Sequence, residues 1–254
     1  MGCGVSYLLR AGAIVLVAVG PVPAGVTNAS ARDEDLFVRP EDQHTVAFGS
    51  VDASRSVFVE GGFKHTPVGP LDRDGFVLME VNGYGLTREV ARAEGVERPA
   101  LRITAAAAGL IGHQWNRDGL YVATYVGPEL RYEQLAIDGR IERYSEPRLG
   151  VRAQWEVWAH PTPDTLITAT VVAGSSRTNA YGRGSAGYRV AGHVFVGPEL
   201  VGYVTPTYQE TRIGAHVTGF SLGIVQGRLS AGWMSVDDGR RGSPYVGLTG
   251  WIRM

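Results

Sequence analysis

The sequence predicts an all-β fold: a closed antiparallel transmembrane β-barrel of about 12 strands behind a cleaved signal peptide. Three observations point there. The N-terminus has the layout of a secretory signal, the rest of the chain alternates apolar and polar residues with period two, and one strand–turn–strand unit is written twice. In that unit Tyr125-Val126-Gly127-Pro128-Glu129-Leu130 recurs as Phe195-Val196-Gly197-Pro198-Glu199-Leu200. An apolar run leads into each copy. A similar restart follows each: Arg148-Leu149-Gly150-Val151 after the first, Arg212-Ile213-Gly214-Ala215 after the second. A repeat of this kind is an architectural signal.

Taken in order, residues 1–31 read as the signal peptide. Arg10 supplies the positive n-region, residues 11–20 the apolar h-region, and Ala29-Ser30-Ala31 a small-residue cleavage site. The apolar run is shorter than the roughly 20 residues a spanning helix needs. An uncleaved membrane anchor is the alternative. The single cysteine, Cys3, lies in this segment, so the mature chain has neither a disulfide framework nor a cysteine zinc site. A lipid-modified cysteine would follow the apolar run, whereas Cys3 precedes it. Residues 32–43, opening Arg32-Asp33-Glu34-Asp35, form a short acidic arm, and residues 44–254 form the barrel.

Composition narrows the function classes. The 254-residue chain carries a formal net charge of -1, so no basic face is set out for nucleic acid. Of its 24 basic residues only Lys64 is a lysine. Glycine, at 35 residues, is about twice its usual share of ~7 %. Closing a small barrel bends and coils its strands, and glycine relieves the crowding this causes.

From His44 on, twelve segments alternate between turn-prone pieces: residues 44–53, 56–64, 75–85, 101–114, 119–133, 147–160, 166–175, 181–190, 193–204, 210–220, 223–236 and 244–253. The clearest alternation puts Leu149, Val151, Ala153, Trp155, Val157 and Ala159 on one face and Arg152, Gln154, Glu156, Trp158 and His160 on the other. It lasts about twelve residues, where a sandwich strand usually lasts 5–6 and a tilted membrane strand ~9–11. A glycine-rich soluble sandwich is the alternative fold. The run Ala105–Ala108 has helical propensity, but Gly109 and Gly112 follow and its neighbours alternate, so it is assigned to a strand.

Within the repeat, alternation puts Glu129 on the face of Tyr125, Gly127 and Arg131. Proline has no N–H for a sheet ladder, so Pro128 and Pro198 are expected near a rim or at a bulge. By parity Glu129, Arg148, Arg152, Glu199 and Arg212 face the lumen. Two ion pairs are expected there, Glu129 with Arg148 or Arg152 and Glu199 with Arg212; the competing reading has both glutamates tying down loops at a rim.

Signals for chemistry are few. The six histidines form no His-x-x-x-His pair with a glutamate, which argues against a zinc helix. His113 and His216 are placed inward. Ser175, Ser176 and Ser221 are the candidates for a hydrolytic Ser–His pair, but no nucleophile-elbow motif accompanies them. No catalytic residue, metal or cofactor is assigned. Trp115, Tyr121, Trp155, Trp158, Tyr188, Trp233, Tyr245 and Trp251 stand near segment ends, where interfacial girdles sit. Of the aromatics, Tyr125 and Trp158 point inward by parity and are candidates to stack on sugar rings. The last segment alternates up to Met254, where barrel chains usually end in phenylalanine.

Several stretches together resemble the cellulose biosynthesis protein BcsS family of Gram-negative bacteria. They are Asp74-Gly75-Phe76-Val77-Leu78, Gly112-His113-Gln114-Trp115, Tyr125-Val126-Gly127-Pro128-Glu129, and Arg148-Leu149-Gly150-Val151 with Glu156-Val157-Trp158-Ala159. Downstream come Gly187-Tyr188-Arg189, Gly197-Pro198-Glu199, Arg212-Ile213-Gly214-Ala215 and Pro244-Tyr245-Val246-Gly247. The resemblance implies an outer-membrane barrel in contact with membrane lipid and linked to cellulose export. Cellulose synthase export components or the glucan chain are the partners it implies, and it carries no catalytic residue over. Three functions follow for testing: a non-enzymatic accessory that anchors the export complex or holds glucan at the surface, a narrow solute or oligosaccharide porin, and a lipid-modifying barrel enzyme.

Overall fold

The computed structural model describes residues 43–93, 96–138, 140–206, 208–237 and 242–254. The expected signal segment with Cys3, and residues 32–42 of the expected acidic arm, lie outside the described residues. The elements are strands: β1 (Thr45–Ala53), β2 (Ser56–His65), β3 (Gly75–Ala93), β4 (Val96–Arg117), β5 (Leu120–Ile137), β6 (Arg140–Tyr144), β7 (Arg148–Thr162), β8 (Thr165–Gly174), β9 (Asn179–Ala191), β10 (Val194–Thr205), β11 (Tyr208–Leu222), β12 (Val225–Val236) and β13 (Ser243–Arg253).

Twelve of them close a ring. Its order is β4-β3-β2-β1-β13-β12-β11-β10-β9-β8-β7-β5, and β5 returns to β4. First and last strands pair antiparallel, with Gly49 opposite Gly250, and the Met254 N–H donates to the Thr45 carbonyl at 2.8 Å. A sheet closed this way has no free edge along its wall, which rules out the sandwich. Each of the twelve predicted segments falls on one ring strand, and the Ala105–Ala108 run is strand, laddered to β3 and β5. At Asp118-Gly119, φ values of 43° and 84° make the tight hairpin turn that such a pair favours.

The start of β1 and the end of β13 lie at one end, the proximal rim. At the opposite, distal end the strands overrun the wall. β2 ends where Ser56 meets Thr87, and the β5–β7 ladder ends where Arg131 meets Arg148. Beyond those pairs β3, β4, β5 and the short β6 continue as a four-stranded sheet above the rim. The sequence reading ended β3 at Gly85, began β4 at Leu101 and omitted β6. Above the rim both faces of the sheet meet water, so Arg88, Glu89 and Arg98 interrupt the apolar alternation that marks a wall strand.

The alternation sorts the two faces. Inward-facing Val77 and Ala123 are 0 % exposed, while outward-facing Leu149 and Ile213 are 76 % and 66 % exposed. An apolar outside around a filled inside is the plan of an outer-membrane barrel. Of the aromatics expected in girdles, Trp115, Trp155, Tyr188 and Trp233 face out. Trp158 faces in, as parity placed it. Tyr121, Tyr245 and Trp251 face in too, a correction with a simple cause: nearness to a strand end says nothing about parity. His113, expected inward, also faces out, packed between Phe76 and Trp115 at centroid distances of 5.7 and 4.6 Å. Inside, Val77, Met79, Val81, Leu110 and Tyr125 form a buried apolar cluster against the β3–β5 wall.

Candidate functional site

The twice-written unit builds the same local geometry twice. Glu129 lies opposite Gly150 across β5–β7, and Glu199 lies opposite Gly214 across β10–β11. In each copy the missing side chain leaves room for a hydroxyl. A Cβ on Gly150 would stand 2.3 Å from the Ser176 backbone nitrogen, and Ser176 Oγ donates to Glu129. A Cβ on Gly214 would stand 2.5 Å from Tyr245 Oη, and Tyr245 donates to Glu199 at 3.3 Å.

The prolines lie within the wall, not at a rim. Pro128 faces Val151 and Pro198 faces Ala215, but the ladders on their other sides skip a step. Ala186, the residue across from Pro198, has a carbonyl that the proline cannot serve. His216 takes it, with Nε2 3.3 Å from Ala186 O, and its Nδ1 lies 2.8 Å from Thr218 Oγ1. Gly197 admits this close approach, since a Cβ there would fall 1.9 Å from that carbonyl oxygen. In the first copy Arg152 stands where His216 stands in the second, opposite the repeat glycine, and donates to Gln154 at 2.8 Å.

All five predicted ion-pair residues lie on inward-phase positions, but the partners differ from those expected. Glu199, 3 % exposed, receives Arg183 Nε at 2.8 Å, Arg228, and Ser230 Oγ at 3.1 Å. Arg212 is held by Glu210 and by Asp52, the latter at 3.2 Å. Glu129 is served by Ser176, while Arg152 reaches Gln154 and, at 3.9 Å, Glu60. Arg148 is exposed at the distal start of β7. Sequence parity can place a residue on a face, but cross-lumen pairs depend on how the ring closes. Arg183 and Arg228 come from β9 and β12, on either side of the predicted strand pair.

The lone lysine belongs to a second cluster that sequence reading missed. Lys64 on β2 pairs with Glu156 on β7, and Gln154 Nε2 donates to Glu156 at 2.7 Å. A single basic residue type set apart from 23 arginines was the available signal. Tyr125, 3 % exposed, has Lys64 Nζ 5.5 Å above its ring and its hydroxyl 3.2 Å from that of Tyr121. Its ring has no face open to a sugar.

Both walls contribute to closing the proximal mouth. Trp158 on β7 and Trp251 on β13 stand on opposite walls, yet their rings meet edge-on at 5.8 Å. Residues 66–74 are bonded to Gln43, His44 and Gln114 at the same end. Gln114, 1 % exposed, donates to the carbonyls of Leu71 and Arg73 at 2.8 and 2.7 Å. Asp74 ends this strap, accepting from the Asn116 N–H at 2.7 Å and from Arg117 at 3.0 Å. Those donors hold its carboxyl below the ordinary value.

Ser175 and Ser176, weighed for hydrolysis, instead bond to the Val151 N–H and to Glu129. Among the described residues no three acidic, histidine or cysteine side chains gather to hold a metal. On the outer wall, Ile167, Ala186, Tyr188, Val196 and Pro198 line a groove of about 530 Å³ open to the membrane. The interior can bury charge and hold strands together.

The model of the cellulose biosynthesis protein BcsS family matches residues 46–254. The chain belongs to that family. The match takes in the whole ring, both copies of the repeat and the distal sheet. A search of curated proteins finds no match. Among solved structures, the chain is similar to the β domain of the Bordetella autotransporter BrkA, with a TM-score of 0.51 and 14 % identity over 84 % of this chain and 99 % of that one. The transport unit of the autotransporter AIDA-I from Escherichia coli gives a TM-score of 0.48 and 11 % identity, covering 88 % and 93 %. A KdgM porin in complex with disordered oligogalacturonate gives 0.44 and 10 %, covering 82 % and 99 %. At 14 % identity the likeness to the BrkA β domain is one of fold alone.

Proposed function

We propose that this BcsS-family barrel is a non-enzymatic outer-membrane accessory of cellulose production, acting at its rims with a lumen that does not conduct. The reading rests on one observation within the family setting: charged clusters, an apolar cluster and a tryptophan pair fill the space a permeant sugar would need. The inward residues Met79, Met234 and Ser230 are at most 2 % exposed. Twelve ring strands fall between barrels of roughly 8, which side chains fill, and porins of roughly 16–18, which leave an aqueous channel, so the lining decides.

With conduction set aside, the distal sheet of β3–β6 is the element that leaves the membrane. It is suited to hold nascent glucan at the surface or to anchor the export complex, and Arg102, Glu89 and Glu133 brace its base at 2.9–3.2 Å. Single-channel recording on the refolded chain, with and without cello-oligosaccharides, tests the filled lumen; steady openings blocked by the sugar would replace this reading with a glucan pore. Removal of residues 88–101 should reduce surface-attached cellulose while leaving the folded barrel in the membrane. Unchanged cellulose output and attachment in cells lacking the whole protein would end the accessory reading.

A further inference from the structure

The lipid-facing wall is apolar or uncharged between its girdles, with one exception. Among the described residues, Glu80 on β3 is the charged side chain found on that face. Met79 and Val81 beside it are each 2 % exposed and point into the lumen, whereas Glu80 shares the outer face with Phe76 and Leu78. Phe76 and Tyr84, also outward, bracket it toward either rim, so Glu80 stands near mid-membrane. Asn82 Nδ2 donates to Glu80 Oε1 at 2.9 Å.

On the β4 side and beside Asn82 the surroundings are small, while Phe63 stands across from Glu80 on β2. Gly109 faces Glu80 from β4, while Ala107 and Gly61 face Asn82 from β4 and β2. A Cβ at Gly109 would meet nothing within 4 Å. The polar pair therefore stands in a shallow recess, rimmed by exposed Phe63, Leu78 and Ile111. Lipid tails offer a carboxylate no donor, and charge on this face works against insertion.

We propose that this face docks a second copy of the chain, side by side in the membrane. Two barrels inserted in the same direction hold the same residue at the same depth, so a two-fold axis along the membrane normal brings Glu80 and Asn82 against their own counterparts. The patch complements itself. Asn82 uses one amide N–H on its own Glu80, and its second is available to the partner's carboxylate. The small residues around it let the two walls approach, as they do between membrane helices.

The test is disulfide trapping. The chain's one cysteine is Cys3, so a Cys3→Ser background reports only on introduced thiols. Gly109→Cys, oxidised in intact outer membranes, should give a covalent dimer of the full chain, and Val196→Cys on the opposite wall should not. Adding Glu80→Leu and Asn82→Leu to Gly109→Cys should cut the trapped dimer at least about tenfold, with folding checked by heat-modifiable gel mobility. Three results would overturn the proposal: folded Gly109→Cys that stays monomeric, equal trapping at Val196→Cys, or a dimer indifferent to the two leucines. A monomer that co-purifies with lipid alone would mean the recess meets only the membrane.

Discussion

Tyr245 donates to Glu199 at 3.3 Å through space that Gly214 leaves empty. A side chain at Gly214 would also press on the Ala231 carbonyl, 2.3 Å from the Cβ position. Gly214→Ala should therefore destabilise the barrel by about 1–3 kcal/mol, the usual cost of overpacking. Urea unfolding in detergent measures it. Gly150→Ala, which meets the Ser176 backbone, should behave alike; loss at one site only would mean that the two copies of the repeat are not equivalent.

His216 and Pro198 form a compensating pair. The imidazole supplies the donor that the proline lacks, and His216 is 1 % exposed. His216→Leu leaves the Ala186 carbonyl without a donor inside the membrane, at an expected cost of about 1–3 kcal/mol. Pro198→Ala restores a backbone N–H, so the double variant should recover part of that loss. A strictly additive double-mutant cycle would show that the two sites are uncoupled.

Glu199 pairs with two guanidiniums, Arg183 and Arg228, from strands on either side of it. Glu199→Ala strands both in the lumen, and breaking a buried pair from one side costs about 3–5 kcal/mol. Arg117→Ala, which removes an exposed pair with Asp74, should cost no more than about 1 kcal/mol. Similar unfolding midpoints for the two variants would mean that water reaches the Glu199 cluster.

Asp74 gives the proximal strap its pH dependence. Its carboxyl is held below the ordinary 3.8, first by the Asn116 N–H and then by Arg117. A carboxylate lowered on folding adds stability above its unfolded pKa, and that stability is lost as pH falls through the folded value. The strap should hold at neutral pH and loosen only below about pH 4. Amide exchange at Asn116 reports this directly, and Asp74→Asn should remove the acid step. Faster exchange already near pH 6 would assign the strap to another group.

Much of this was legible in the chain. Period-two alternation marked the twelve ring strands because every wall strand has one face in lipid and one in the lumen. That same contrast disappears above the distal rim, so the ends of β3 and β4 and all of β6 carried no usable pattern. Glu129, Arg152, Glu199 and Arg212 lie on the positions that parity assigned to the inner face.

By itself, then, the sequence determined the barrel and its strand count around the ring, since these follow from local alternation. Only the tertiary structure decided who pairs with whom. Glu199 takes Arg183 and Arg228, Lys64 takes Glu156, and Trp158 meets Trp251, because closing the ring sets strands distant in sequence across a lumen narrow enough for side chains to touch.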